Sequence, residues 1–208
     1  MGPNGSGKST LAATIMGHPL YEVSKNAKIK YKNENVIDLS PDKRAKLGIF
    51  LSFQTPLSLS GVNIYQLMMY ALSGKSDPLT IRQNAQKYAK ILKISDELLT
   101  RSLNEGFSGG EKKKMEVLQA VLLSPQLLIF DEIDTGVDVD ALKAIANFIN
   151  KLRGGERTFI IITHYNRILK FLHPDEVLVI VDGKLVKTGS ASLAEEIEKN
   201  GYEQYATK

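Results

Sequence analysis

The chain has 208 residues, 43% of them hydrophobic, enough for one well-buried domain with a smaller subdomain inserted into it. It contains no cysteine, which excludes disulfides, thiolate metal sites and cysteine nucleophiles and leaves oxygen or histidine to hold any metal. The net charge of +4 is spread over segments such as Lys25–Lys32 and Lys112–Lys114, read here as solvated surface rather than an aromatic-interleaved nucleic-acid stripe, and no apolar run approaches the roughly 18 to 20 residues of a membrane span.

Taken in order, Gly2 to Thr10 is a Gly-rich loop running into a helix through Leu11–Met16, closed by Gly17 and Pro19. Pro41-Asp42 opens a short helix ending at Gly48, and Ile49–Phe53 reads as a buried strand leading to Gln54. From Gly61 to about Gly106 the pattern turns helical, with the stripe Ile64, Leu67, Met68, Ala71 and then Asp77-Pro78 as cap and first-turn pair of another helix. A helix Glu111–Leu123 stopped by Pro125, a strand Leu127–Phe130, a helix Val139–Arg153 ended by Gly154-Gly155 and a strand Thr158–Thr163 follow. Asp182-Gly183 sits between Val177–Val181 and Lys184–Lys187 as a tight hairpin turn, and a last amphipathic helix runs to Asn200-Gly201. Strand and helix alternate as a mostly parallel α/β sheet requires.

Gly2-Pro3-Asn4-Gly5-Ser6-Gly7-Lys8-Ser9, followed by Thr10, fits G-x-x-x-x-G-K-[ST] in full. Such glycines let backbone amides turn inward around phosphate oxygens, and the following helix offers its positive N-terminus. Lys8 is placed to reach the β and γ phosphates and the Ser9 hydroxyl to ligate magnesium; a plain helix-capping turn has no need of a Lys-Ser pair at that offset. Leu127–Phe130 is an apolar strand ending in Asp131 and Glu132. Alone this is ordinary, but behind a phosphate loop it sets Asp131 at the sheet's rim to hold a hydrated magnesium and Glu132 where an attacking water is polarised. Phe107-Ser108-Gly109-Gly110-Glu111 opens a helix as a capping box, and the same hydroxyl and amides also make an anion site.

With these motifs, Gln54, Thr135-Gly136-Val137-Asp138 and His164 after its strand, the chain resembles the ATP-binding cassette ATPases. The resemblance implies a P-loop NTPase core over 1–53 and 106–208 with a helical subdomain over 54–105. It implies that Ser108, Gly109, Gly110 and Glu111 form the signature facing ATP held by a second copy, paired transiently by ATP. It also makes Asp138 part of the D-loop, Gln54 a magnesium and water ligand, and His164 the γ-phosphate sensor.

Most transport cassettes carry Gln where this chain has Glu111 and Pro where it has Ile133. The chain is similar instead to the SufC family, the ATPases of the Suf iron-sulfur cluster assembly system. The likeness rests on Gly17-His18-Pro19, Tyr21-Glu22-Val23, Phe50–Gln54, Phe107–Lys114, Asp131–Asp138, Asp140-Ala141-Leu142 and Ile162-Thr163-His164-Tyr165, with departures such as Met115 off the catalytic positions. It implies a cytoplasmic ATPase using ATP and Mg2+, bound to SufB-like and SufD-like scaffold proteins that hold the cluster, with no nucleic acid and no membrane insertion. The opening residues, which lack a signal pattern, agree with the cytoplasm. The alternatives are the ATP-binding subunit of a membrane transporter, a nucleic-acid-associated cassette, and an inactive interaction module.

A phosphate loop of this kind normally follows a central strand, and only Met1 precedes Gly2. The expectation is therefore a cassette whose N-terminal strands, with the aromatic that the family stacks on adenine, lie outside the sequence given. The alternative is a genuinely shortened subunit. Losing such a strand exposes apolar side chains at roughly 1.5 to 3 kcal/mol each, against a whole-domain stability of about 5 to 15 kcal/mol, so poor folding and low activity of this chain alone are expected.

Overall fold

The computed structural model describes residues 1–164 and 167–205. Tyr165, part of the resemblance above, lies outside the described residues. In chain order the elements are α1 (Lys8–Met16), β1 (Lys30–Tyr31), β2 (Glu34–Asn35), α2 (Pro41–Lys46), β3 (Ile49–Leu51), α3 (Ile64–Ala71), α4 (Pro78–Leu92) and α5 (Asp96–Thr100). There follow α6 (Gly109–Leu123), β4 (Leu127–Asp131), α7 (Val139–Leu152), β5 (Thr158–Ile162), β6 (Val177–Val181), β7 (Lys184–Gly189) and α8 (Ala191–Asn200). They form two compact units: Met1–Leu51 with Gln126–Glu132 and the chain from Thr158 onward, and Ser52–Pro125 with Ile133–Arg157.

The first unit is built on the parallel sheet β3-β4-β5, with Ile49 opposite Leu127 and Asp131 opposite Ile162. Parallel strands need long crossovers, which the segments carrying α3 to α6 and α7 supply. Leu128, Ile129 and Phe130 are all buried, as a strand covered on both faces demands. Ala12 of α1 packs on Ile129 and Ile162, so the helix that follows the Gly-rich loop is seated on strands β4 and β5. β6 and β7 pair antiparallel, and Val177, Val179 and Val181 bury against Leu193, Ala194 and Ile197 of α8. Their turn has Asp182 at φ 48° and Gly183 at φ 74°, the two left-handed positions that the Asp-Gly pair suits.

Arg44 of α2 is fully buried and ends α1. Its guanidinium donates to the carbonyls of Thr14 (2.9 Å), Ile15 (2.8 Å), Leu39 (2.8 Å) and Ile37 (2.7 Å). The last helical carbonyls, which have no partner within α1, are thereby satisfied by a cation. Burial lowers the Arg44 pKa, with Asp38 opposing.

The second unit is helical. Asn63 and Gln66 close a reciprocal capping box on α3, and Asp77 accepts from the Thr80 amide at 2.9 Å ahead of Pro78 to start α4. Tyr88 of α4 meets Phe148 of α7 edge-on, with ring centroids 5.8 Å apart. Met115 is completely buried, which explains an apolar residue where a polar one was expected. Lys113 corrects the reading of Lys112–Lys114 as solvated surface, because it is only 3% exposed. Strand β3 also stops at Leu51 rather than Phe53: the Phe53 amide leaves the sheet and donates to Glu116 Oε1 at 2.9 Å.

Candidate active site

Helix α1 begins at Lys8 itself, directly behind the Gly-rich loop, with Gly7 as its N-cap at φ 94°. A side chain at that left-handed position would be strained, so the turn that aims the helix start at the loop's interior depends on glycine. The Lys8 ammonium lies within the loop, donating to Pro3 O at 2.7 Å, Gly2 O at 2.9 Å and Ser6 Oγ at 3.2 Å. Burial lowers its pKa, and the Glu132 and Asp131 carboxylates push it the other way. The hairpin turn braces the loop from outside, since Gly183 N donates to Ser6 O at 3.0 Å. Asn4, Gly5 and Thr10 are exposed around it.

Ser9 Oγ donates to Asp131 Oδ1 at 3.1 Å, joining the start of α1 to the end of β4. Two hard oxygen donors at the end of a sheet, beside a buried ammonium, suit a magnesium ion and the phosphates it accompanies. One residue on, Glu132 takes φ 50° and its amide donates to Ile162 O at 2.9 Å. That left-handed turn, unusual for a glutamate, swings its carboxylate off the strand. Glu132 Oε1 lies 3.4 Å from His164 Nδ1, which follows the neighbouring strand β5. Lys8, Ser9, Asp131, Glu132 and His164 thus belong to one unit. Together they offer phosphate-binding charge, a metal-binding oxygen pair and a carboxylate-imidazole pair that can hold a water.

The remaining predicted residues belong to the second unit. Ser108 is the N-cap of α6. Its Oγ accepts from the Glu111 amide at 3.3 Å while Glu111 Oε2 accepts from the Ser108 amide at 2.7 Å, so the capping box is present in full. That bond from the Ser108 amide is the main cause holding the Glu111 carboxyl below its ordinary pKa. A Cβ on Gly109 would stand 2.6 Å from Gly136 O, so the backbones at these two glycines are in close contact. Asp138 caps α7 by accepting from Ala141 N at 2.8 Å. The Gln54 carbonyl accepts from Lys113 Nζ at 3.1 Å.

Sequence reasoning missed Lys113 and Glu116 around Gln54, and Arg44 beneath α1. The i, i+3 spacing of opposite charges in α6 was the available signal for the first pair, and Lys112 and Lys114 beside them masked it. For Arg44 there was none, since its partners are all backbone carbonyls.

A model of the ABC transporter family matches residues 1–135. The probable ATP-dependent transporter ycf16 of Cyanophora paradoxa is 43% identical over 211 residues, covering 98% of this chain and 81% of that protein. The probable ATP-dependent transporter SufC of Escherichia coli K12 is 44% identical over 210 residues, covering 97% of this chain and 84% of that protein. Among solved structures, a nucleotide-free ATP-binding cassette from an ABC transporter superposes with a TM-score of 0.75 at 25% identity, covering 100% of this chain and 86% of the other. The ADP conformation of an ATP-binding cassette of an ABC transporter gives 0.73 at 27% identity, covering 95% and 81%. With the Gly-rich loop, the Ser9–Asp131 bond and the Glu132–His164 pair in the first unit, and the Ser108-capped helix α6 in the second, these likenesses place the chain in the ABC transporter family, among its ATP-hydrolysing cassettes.

Proposed function

We propose that this ATPase works on an iron-sulfur cluster assembly scaffold, turning ATP into ADP and phosphate to drive a conformational change of SufB-like and SufD-like partners in the cytoplasm. The observation that carries the hydrolytic part is the convergence of Lys8, Ser9, Asp131, Glu132 and His164. The scaffold role is supported by 44% identity to a protein named SufC over nearly the whole chain, and by Glu111 and Ile133 at the two positions that differ from most transport cassettes.

In this reading the Gly2–Thr10 loop cradles the phosphates and Lys8 neutralises the β and γ oxygens. Magnesium would be held by Ser9 and Asp131, with Gln54 in the ligand role that the family resemblance gives it, and would offset charge on the phosphate oxygens. Glu132 accepts the proton of the attacking water, and His164 orients Glu132 and senses the γ phosphate. A second copy brings Ser108, Gly109, Gly110 and Glu111, with Asp138 of its D-loop, to complete the site. The scaffold docks on the Gln54 loop and the helical subdomain 54–105, around which Phe53, Leu57, Tyr70 and Leu79 are exposed.

Affinity capture of the protein from its own cells tests this. Recovery of SufB-like and SufD-like scaffold proteins supports the assembly role. The names of these relatives, both probable ATP-dependent transporters, favour a second reading, a membrane transporter's ATP-binding subunit. An integral membrane protein in place of the scaffold would establish that one, and among the described residues no helix is long and apolar enough to span a bilayer itself.

A further inference from the structure

Lys113 and Glu116 lie on one face of α6 and form an ion pair, Nζ to Oε2 3.3 Å, with side chains only 4% and 6% exposed. Both also hold backbone. Lys113 Nζ donates to Phe53 O at 3.0 Å and Gln54 O at 3.1 Å, and Glu116 Oε1 accepts from Phe53 N at 2.9 Å. A buried ion pair repays its desolvation poorly, and an apolar pair of similar size would pack α6 as well. What only the charged pair does is grip three polar groups of the Phe53–Gln54 backbone with charge-assisted bonds.

The far side of the same loop is tied to the segment leading into α6. Asn104 Nδ2 donates to Leu57 O at 2.8 Å, Ser58 Oγ to Asn104 O at 3.1 Å, Leu59 N to Leu103 O at 3.0 Å and Gly61 N to Ser102 Oγ at 3.0 Å. Residues 53–61 therefore hang at both flanks on the continuous stretch 102–116, which contains Ser108–Glu111. Ser108 and Lys113 are five positions apart along one helix, about 7.5 Å of rigid rod.

We infer that Lys113 and Glu116 are positioning residues that lock the Gln54 loop to the signature helix, so that a displacement of Ser108 is passed to Gln54 without slack. The inference rests on the reading of Gln54 and Ser108 given under the proposed function. Neither residue of the pair touches nucleotide in this scheme; they act through Gln54.

The test is a double-mutant cycle on ATP turnover and on its magnesium dependence. Replacing the pair together, Lys113→Met with Glu116→Leu, is expected to keep nucleotide affinity, to lower kcat about tenfold and to raise the half-saturating magnesium concentration. In a Gln54→Ala background the same replacement should cost less than about a further twofold, because groups acting through one residue are not additive. A full tenfold loss in that background, or an unchanged kcat in the Gln54 protein, overturns the lock alone. Wild-type turnover and magnesium dependence in Gln54→Ala overturn the reading of Gln54, and the lock with it. Should the apolar pair not fold, Glu116→Gln, which keeps an acceptor for Phe53 N but drops the ion pair, is carried through the same cycle and judged by the same two outcomes.

Discussion

His164 Nδ1 stands 3.4 Å from Glu132 Oε1, each at the end of one of two adjacent parallel strands whose last paired residues are Asp131 and Ile162. The register of β4 against β5 sets that distance, since Glu132 stands one residue and His164 two residues beyond the last paired position of its strand.

Glu132→Gln should therefore keep ATP binding while lowering hydrolysis by roughly two to four orders of magnitude, the scale of a lost general base. His164→Ala should cost nearly as much, and the double variant little more than either, because the two act as a unit. Single-turnover assays beside nucleotide titrations check this, and near-normal turnover in Glu132→Gln would remove it from the role.

Lys8→Ala is expected to weaken nucleotide binding itself by at least about tenfold, since a buried ammonium aimed into the loop is lost from both ground state and transition state. Isothermal titration with ATP reads it directly. Unchanged affinity would show that the loop amides suffice.

Glu111→Gln keeps the capping box, because a Gln side chain still accepts from the Ser108 amide. It removes a carboxylate from the helix end assigned to the partner copy's γ phosphate. ATP-driven pairing should tighten by about three- to tenfold, the scale of one partly screened like-charge contact, and the effect should shrink in high salt. Sedimentation of a hydrolysis-deficient background with ATP measures it; weaker pairing would refute the charge argument.

Gly109→Ala should abolish turnover and leave ATP binding intact. The added Cβ meets Gly136 O at 2.6 Å, a backbone atom that cannot move aside cheaply, so signature and D-loop are forced apart. Binding residues Lys8 and Ser9 belong to the other unit and are not touched. Loss of binding in parallel would mean general misfolding instead.

Arg44→Met should destabilise the fold by about 2 to 4 kcal/mol, because four carbonyls lose a charge-assisted donor and, among the described residues, only Thr14 O keeps a backbone one, from Gly17 N. Chemical denaturation gives the value.

Much of this architecture was legible because its signals are local. The Ser108–Glu111 box, the Asp77-Pro78 start and the Asp182-Gly183 turn each act through backbone within three residues, and all formed as the sequence suggested. The gathering of Ser9 with Asp131 was legible through motif order, although 122 positions separate them. For Lys113 and Glu116 only their mutual i, i+3 spacing was legible; the backbone groups they also hold lie some sixty residues away, and a run of three lysines resembles solvated surface whichever of them turns inward. The end of β3 was missed for the same reason: the Phe53 side chain suits a strand, but its amide has a better acceptor in Glu116.

Arg44 has one more consequence. By covering the C-terminal carbonyls of α1 with a positive charge, it offsets the negative pole of that helix dipole, while the positive pole begins at Lys8 behind the Gly-rich loop. Over only nine residues, α1 then acts less as a dipole than as a source of positive potential that adds to the Lys8 ammonium in the Gly-rich loop. Part of this protein's attraction for polyanions is accordingly set at the far end of the helix, by a residue that no phosphate ever meets.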